Sequence, residues 1–440
     1  MEYRGELSNR ENIAKIVTSV LTLIVFLWIA ATSSISGQIL GVVLLSLVFW
    51  SLFPRRHFFS SILVISLLSL FEVSLSPKEF IESLFSTYGG SGLWIIISGF
   101  ILAEARMKVS GLARRIALWI VSSLGGDPNM IVLSVALANL AVAPLSPSTT
   151  AKSFLLVPIC NGLIEAFDIE KGRSDYGVAV MMMSMVANNI CSTGFLTATV
   201  PNPISARYIL TASGIVLGWI EWLKMALPLT LVLLIVSWII CVWMFKPKVK
   251  GTPEALIRVR SLRDGLGSLS RCEVVVALVF SLSLLLLITE RRHGLNAGLV
   301  SLALCLVFFL PKGGVLKLRG FGRSIPWGSI MLFVASMFLA GAVSRWRVFD
   351  PVALGIFEFF RLSRLPDLLF VPLVILVSMF LHVAFTSTTV YATVMIPLAI
   401  SLARLHGLQP QVVAVPVAFL TPVALILPVN TTPNIVFYSS

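Results

Sequence analysis

Two segments of the chain, "PSTTAKSFLLVPI" (residues 147–159) and "TSTTVYATVMIPL" (residues 386–398), share one pattern. Each contains Ser-Thr-Thr with a proline ten residues after the serine, and the copies are 239 positions apart (387 − 148). "TVPN" (residues 199–202) and "TTPN" (residues 431–434) form a second pair, 232 positions apart (434 − 202). Motifs duplicated in the same order indicate a chain built from two related halves.

The composition indicates an all-α polytopic membrane protein. The chain is 57% hydrophobic and 12% charged, with a mean hydropathy of +0.97, so it carries more apolar surface than a soluble fold of 440 residues can bury. The first apolar stretch, residues 13–31, lacks a small-residue cleavage pattern and is interpreted as a retained helix.

The net charge of +13 is explained by topology rather than by nucleic-acid binding. Lysines and arginines lie in short loops between apolar stretches, and they are concentrated in the loops that share a side with the N-terminus. This distribution predicts a multi-pass protein of the cell (plasma or inner) membrane with a cytoplasmic N-terminus. The lipid bilayer is then its surrounding partner, and no nucleic-acid partner is expected.

The repeat predicts an inverted architecture with two re-entrant hairpins and two broken transmembrane helices. The halves are inverted if an odd number of membrane crossings separates the two Ser-Thr-Thr segments. The number is odd provided that residues 177–213 form one helix interrupted at residues 199–202. The predicted regions are N-terminal scaffold helices (1–90), a first repeat core (91–216), connecting and scaffold helices (217–326) and a second repeat core (327–440). A terminus at Ser440 would leave a carboxylate close to the membrane interior, so we expect the second core to be incomplete there.

The helix breaks themselves point to a transport site. Irregular backbone at membrane depth is tolerated only where protein covers it or where it lines a watery cavity. Pro433 ends a helix and Asn434 supplies both a donor and an acceptor. A single Ser-Thr-Thr is more often a packing feature, whose hydroxyls bond to carbonyls one turn back. The paired, ordered set favours four breaks that converge on one site.

Acidic residues are missing from the segments that contain all four breaks. No Asp or Glu occurs in residues 128–163, 176–220 or 368–440. A cation there would be held by neutral oxygens, which suits Na⁺ better than a divalent metal. Helix N-termini without nearby carboxylates suit an anionic substrate, and a carboxylate proton relay is excluded from these segments.

The motifs resemble a known family. "GFILAEARMKVSGLARRIAL" (residues 99–118), the two Ser-Thr-Thr segments and "LPVNTTPN" (residues 427–434) are similar to the divalent anion/sodium symporter family, within the ion transporter superfamily. The similarity runs from about Leu93 onward. It implies a homodimer, an elevator-type movement of a transport domain, and uptake of dicarboxylates, citrate or sulfate that is usually driven by Na⁺.

Carried onto this sequence, the resemblance and the repeat predict two overlapping sets of site residues. The predicted substrate-binding residues are Ser148, Thr149, Thr150, Lys152, Ser387, Thr388, Thr389, Asn202 and Asn434. The predicted Na⁺ ligands, largely through backbone carbonyls, are Ser148, Thr149, Thr199, Thr386, Thr388, Asn430 and Thr431.

The sequence departs from the family pattern at both hairpins. The family signature is Ser-Asn-Thr, and Thr149 and Thr388 replace the asparagines. A hydroxyl has one donor where an amide has two, so a smaller or differently shaped anion than a dicarboxylate stays open. Lys152 lies just past the first tip, and its counterpart in the second half is Tyr391. Lys152 either snorkels to an aqueous cavity or supplies a fixed positive charge in place of one Na⁺.

Other functions are less consistent with the sequence. His382 is the one histidine embedded in an apolar stretch; it has no acidic partner after Asp367, and Ser387 lies five residues away, which is poor placement for a dyad. An enzyme is therefore not expected, and His382 is interpreted as packed rather than as a pH sensor. The hairpin repeat argues against a passive channel. Na⁺-independent anion exchange, or another anion permease of the superfamily (arsenite/antimonite or citrate-metal type), remains the alternative, and H⁺ coupling, stoichiometry and direction stay open.

Overall fold

A computed structural model describes residues 2–53, 56–75, 77–78, 81–82, 85, 89–105, 111–124, 127–167, 174–246, 253–311, 314–317, 321–385, 387–427 and 431–440. In chain order its longer α-helices are α1 (Glu2–Thr32), α2 (Ile35–Leu52), α3 (His57–Leu75), α4 (Ser91–Ala103), α5 (Leu112–Ser123), α6 (Pro128–Val142), α7 (Thr149–Ala166), α8 (Asp175–Gly194), α9 (Pro201–Ser213), α10 (Trp219–Phe245), α11 (Pro253–Asp264), α12 (Arg271–Ile288), α13 (Ala297–Cys305), α14 (Trp327–Arg345), α15 (Asp350–Phe359), α16 (Asp367–Leu381), α17 (Thr388–Leu405), α18 (Pro410–Leu420) and α19 (Thr432–Tyr438).

The predicted all-α membrane architecture is confirmed. Over the described residues the regular structure is helical, without β-strands, and seven helical segments are long and apolar enough to cross a membrane. Only helices and closed barrels satisfy their backbone polar groups in lipid, so a helical chain with these spans is a multi-pass membrane protein. The inverted order of the halves and the re-entrant path of the hairpins remain predictions.

The chain divides into two compact units. Unit 1 consists of Met1–Gly90, Ile204–Val216 and Trp327–Ala418, and unit 2 of Ser91–Pro203, Leu217–Pro326 and Phe419–Ser440. The division into scaffold and repeat-core regions stays a prediction. Residues 204–216, predicted as part of the first core, group with unit 1. Residues 419–440 group with unit 2, because α19 packs against α7 and α8.

Unit 2 is built around α8, which packs against α6, α7 and α10. Residues 187–194 of α8 are all buried, although they include two asparagines, a serine and a threonine. At the end of α8, a Cβ on Gly194 would lie 3.1 Å from Thr230 Oγ1 on α10, so the close approach of these helices requires a small residue. The last turns of α8 are thus a polar helix segment held inside protein.

Unit 2 also contains an ion pair with a buried carboxylate and a partly buried guanidinium. Arg115 on α5 donates from Nε to Glu273 Oε1 on α12 at 2.6 Å, and its other nitrogens bond to the carbonyls of residues 266–268. Ser270 and Glu273 form a capping box that begins α12. The carboxylate of Glu273, which is 3% exposed, is therefore both neutralised and hydrogen-bonded.

Unit 1 pairs its helices across long sequence separations. In this unit α14 packs against α3 and α2, and α15 packs against α17. Tyr208 on α9 donates its hydroxyl to the Thr393 carbonyl on α17 at 3.3 Å. The second Ser-Thr-Thr segment is thus fixed within unit 1 through the body of α17.

Candidate functional site

The two Ser-Thr-Thr segments have the same local structure at the same offset of 239 residues. Ser148 and Ser387 both have extended backbones and both cap an 18-residue helix, α7 and α17. Ser148 Oγ accepts from Ala151 N at 3.2 Å, and Ser387 Oγ accepts from Val390 N at 3.5 Å. A 3₁₀ turn and a 15-residue helix precede each serine. The repeat detected in thirteen residues therefore extends over a whole helix–turn–helix.

The helix break predicted in the first half is present. Helix α8 ends at Gly194, residues 195–200 are not helical, and α9 begins at Pro201. Asn202 Nδ2 donates to the Ser192 carbonyl at 2.8 Å and to the Phe195 carbonyl at 2.9 Å. These acceptors belong to the end of α8, where carbonyls have no partner within the helix. One asparagine side chain thus donates to two backbone carbonyls that the end of the helix leaves without a helical partner.

An asparagine side chain bridges the second break in the same way. Helix α18 ends at Leu420 and α19 begins at Thr432. Asn434 Nδ2 donates to the Ala424 carbonyl at 2.6 Å, ten residues upstream, as Asn202 does to Ser192. Asn434 Oδ1 also accepts from Asn189 Nδ2 on α8 at 2.9 Å. The second break is therefore tied to the first broken helix inside unit 2.

The first hairpin tip is also tied to α8. Asn188 Nδ2 donates to the Thr149 carbonyl at 3.1 Å and to Ser153 Oγ at 3.0 Å. Lys152 Nζ donates to Ser192 Oγ at 2.8 Å and to the Ala198 carbonyl in the break at 3.0 Å. Three of the four breaks thus belong to one buried polar network in unit 2.

Several polar groups of this network have no hydrogen-bond partner within the described part of the chain. They are the hydroxyl of Thr149, which is partly exposed, and the buried oxygens Asn188 Oδ1, Asn202 Oδ1 and Thr431 Oγ1. A buried acceptor without a partner is costly, so an open oxygen of this kind marks a place for a donor or a cation. No group of three or more His, Cys, Asp or Glu that could hold a metal occurs among the described residues.

The predicted residues are distributed over both units. Unit 2 contains Ser148, Thr149, Thr150, Lys152, Thr199, Asn202, Thr431 and Asn434, and unit 1 contains Ser387, Thr388 and Thr389. Thr386 and Asn430 lie outside the described residues. That the second tip binds the same anion stays a prediction from the repeat. The His382 ring is buried and stacks on Tyr391, with centroids 4.2 Å apart, which is the packed role favoured above.

Sequence reasoning missed Asn188 and Ser192, which connect the tip to the break. Their spacing of four residues places both on one face of α8. Adjacent asparagines at 188 and 189, in the largely apolar and acid-free part of α8 that follows Asp175, are the signal that would have identified this face, because buried amides need partners.

Comparisons with known proteins identify the family. The sodium:sulfate symporter transmembrane region matches residues 10–440, so this multi-pass chain belongs to that family, the divalent anion/sodium symporters. The sodium-dependent dicarboxylate transporter SdcS of Staphylococcus saprophyticus is 26% identical over 449 residues, which cover 96% of this chain and 83% of that protein.

Two further relatives match this chain over less than two thirds of their own lengths. The citrate/succinate antiporter of Escherichia coli K12 is 23% identical over 72% of this chain, and chloroplastic dicarboxylate transporter 1 of Arabidopsis thaliana is 26% identical over 77%. The chain spans 65% and 61% of their lengths. Among solved structures, the Alcanivorax borkumensis YdaH transporter matches 83% of this chain and 86% of that one, with a TM-score of 0.52 and 14% identity. That likeness concerns the fold.

Proposed function

We propose that this chain is a secondary active transporter that moves a small anion of the dicarboxylate, citrate or sulfate class across the cell membrane. Transport is coupled to Na⁺ and proceeds by an elevator mechanism in a homodimer with cytoplasmic N-termini. The observation that carries the proposal is the group of donors at the first tip. The Thr149 hydroxyl has no partner in the described part of the chain, and the Lys152 ammonium lies one turn further along α7.

The first tip has the properties of an anion site. The N-terminal end of α7 carries the positive end of the helix dipole, and its first N–H groups lack partners within the helix. Thr149 adds a hydroxyl donor, and the buried ammonium adds a full charge. Residues 128–163 contain no carboxylate that would repel an anion. Carboxylate and sulfate oxygens accept all of these donors.

Na⁺ coupling is supported by an open oxygen and by the relatives. Thr431 Oγ1 at the second break is buried, neutral and without a partner in the described residues, and such an oxygen is a typical ligand of a hard cation. The family is described as a sodium:sulfate symporter, and the Staphylococcus relative is named sodium-dependent. Na⁺ would enter here as a co-transported ion.

Exchange of one anion for another is the second candidate. The Escherichia coli relative is named an antiporter, and Lys152, when it is protonated, places a positive charge in the site whether or not an anion is bound. A buried charge without a counter-ion is costly. A carrier with a fixed ammonium would therefore return more readily when it is loaded with a second anion.

Uptake into proteoliposomes tests the proposal. The purified protein is supplied with ¹⁴C-succinate, ¹⁴C-citrate or ³⁵S-sulfate, with an inward Na⁺ gradient, without Na⁺, and with unlabelled anion inside. We expect saturable uptake of at least one anion that the Na⁺ gradient drives. Uptake that ignores Na⁺ and requires internal anion would support the exchanger instead. No saturable uptake under any of these conditions, with a Thr149→Ala protein and empty liposomes as baselines, would contradict both.

A further inference from the structure

Lys152 is exceptional among the buried charged residues. Of the lysine, arginine, aspartate and glutamate side chains that the structure describes, only Lys152 and Glu273 are buried, with exposed fractions of 1% and 3%. Glu273 is paired with Arg115 at 2.6 Å. The two partners of Lys152 are neutral oxygens. Burial of an ammonium without a counter-ion is costly, so a function is expected for this position.

The partners of Lys152 are of the kind that bind Na⁺. The Ser192 hydroxyl donates its own proton to the Asn188 carbonyl at 2.6 Å, so its oxygen faces the ammonium as an acceptor. The Ala198 carbonyl belongs to the break after α8. A hydroxyl and a carbonyl outside a regular helix are typical ligands of a hard monovalent cation. The ammonium therefore occupies a position built for a cation.

The carbonyls predicted to hold Na⁺ at the first tip are already engaged. The Thr149 carbonyl accepts from Asn188 Nδ2 at 3.1 Å and from Ser153 Oγ at 3.0 Å, and a carbonyl oxygen has two lone pairs. The Ser148 carbonyl accepts from the Lys152 backbone N–H at 3.1 Å. The Thr149 carbonyl thus has no lone pair left for a Na⁺ ion and the Ser148 carbonyl has one, whereas the ammonium finds its acceptors on Ser192 and in the break.

The second half lacks this arrangement. Tyr391 stands at the position of Lys152, and its hydroxyl donates to the Ser378 carbonyl at 2.9 Å. At the offset of 232, Leu420 and Ala424 replace Asn188 and Ser192. The second half therefore has neither the fixed charge nor the side-chain acceptor that holds it.

We propose that the Lys152 ammonium is the resident cation of the first half, in place of a Na⁺ ion. The carrier then takes up one Na⁺ fewer than a carrier in which both halves bind the ion. This inference rests on the proposed anion transport, because the role of the fixed charge is to hold the anion when Na⁺ is scarce.

The experiment replaces Lys152 with threonine and follows Na⁺ binding without any anion. Thermal unfolding of the purified protein in detergent is measured while NaCl replaces choline chloride at constant total chloride. A ligand that binds the folded state raises its stability with concentration. We expect Lys152→Thr to gain more Tm from Na⁺ than wild type does, because it has an additional empty cation position. The matched control, Lys224→Thr at an exposed lysine of α10, should follow wild type. Superimposed curves for wild type and Lys152→Thr would overturn the proposal.

Transport gives a second readout, which separates this proposal from the proposed function. At low Na⁺, uptake of the anion that wild type transports should fall by at least about tenfold in Lys152→Thr, and high Na⁺ should restore it; tenfold corresponds to the loss of one charge-assisted hydrogen bond. If wild type transports none of succinate, citrate and sulfate, the proposed function fails, while the thermal measurement still decides the role of Lys152.

Wild type alone provides a test that does not depend on a folded variant. When the two protomers of the dimer transport independently, the Hill coefficient for Na⁺ activation of uptake cannot exceed the number of Na⁺ sites in one protomer. If Lys152 fills the first-half position, the coefficient should be about 1. A value near 2 would show that both halves bind Na⁺ and would overturn the proposal.

Discussion

The two Ser-Thr-Thr hairpins share one backbone conformation and differ in the buried side chain that follows the tip. Both place a capping serine before an 18-residue helix. In the first hairpin the buried side chain one turn later is Lys152, which reaches α8 and the break that follows it. In the second it is Tyr391, which bonds back to its own hairpin at Ser378 and stacks on His382. The two halves therefore share the backbone geometry of the tip and differ in the charge of the buried side chain one turn after it.

The paired asparagines show the same division between shared backbone and separate chemistry. Asn202 and Asn434 each donate Nδ2 to a carbonyl ten residues upstream. Asn434 also uses its Oδ1, which accepts from Asn189, whereas Asn202 Oδ1 has no partner among the described residues. The asparagine of the second break is fully paired, whereas the asparagine of the first break keeps an open oxygen.

The largest effect on stability is expected when the lysine of the first hairpin is placed in the second, in the variant Tyr391→Lys. Tyr391→Lys would bury an ammonium whose nearest known acceptor is a single carbonyl, and we expect a loss of about 3 to 5 kcal/mol in stability. Tyr391→Phe, which loses one neutral hydrogen bond, should cost about 1 kcal/mol. Thermal unfolding in detergent compares the two. If both variants unfold together, the second hairpin accepts a charge as well as the first, and the distinction fails.

A smaller effect is expected at the second break. Asn434→Ala removes two buried hydrogen bonds and leaves the Ala424 carbonyl without its side-chain donor, which should cost about 3 kcal/mol. The exposed Ser439 on the same short segment is the matched control, and Ser439→Ala should unfold like wild type. Equal stability of Asn434→Ala and Ser439→Ala would mean that the break is not held by this amide.

The two asparagines should affect Na⁺ coupling to different degrees. Asn434→Ala disturbs the second break, where the buried Thr431 Oγ1 has no partner among the described residues, so we expect it to raise the Na⁺ concentration for half-maximal uptake. Asn202→Ala acts at the first break, where the Lys152 ammonium fills the cation position, and should raise that concentration less. Selectivity among succinate, citrate and sulfate should change less than the Na⁺ requirement. A variant that alters anion selectivity at unchanged Na⁺ dependence would assign the asparagine to the anion instead.

Much of this arrangement could be predicted from the sequence. The offset of 239 between the Ser-Thr-Thr segments predicted two equivalent tips, because a repeated pattern preserves local backbone geometry. Pro201 with Asn202 predicted the break, although the break begins earlier, at Phe195. The partners of Lys152 could not be predicted, because Ser192 is 40 residues away and the contact depends on how α7 packs against α8. Likewise, the grouping of residues 204–216 with unit 1 follows from packing that no local motif encodes.

The central claim is that the anion is bound by the hydroxyl that replaces the family's asparagine at the first tip. Binding of the transported anion to wild type, Thr149→Ala and Thr149→Ser tests it most directly, with Thr388→Ala as the equivalent change in the second half. Losing a donor to a charged oxygen should weaken binding by about 1 to 3 kcal/mol in Thr149→Ala. Thr149→Ser, which keeps the hydroxyl, should bind like wild type. Wild-type affinity in Thr149→Ala would contradict the account.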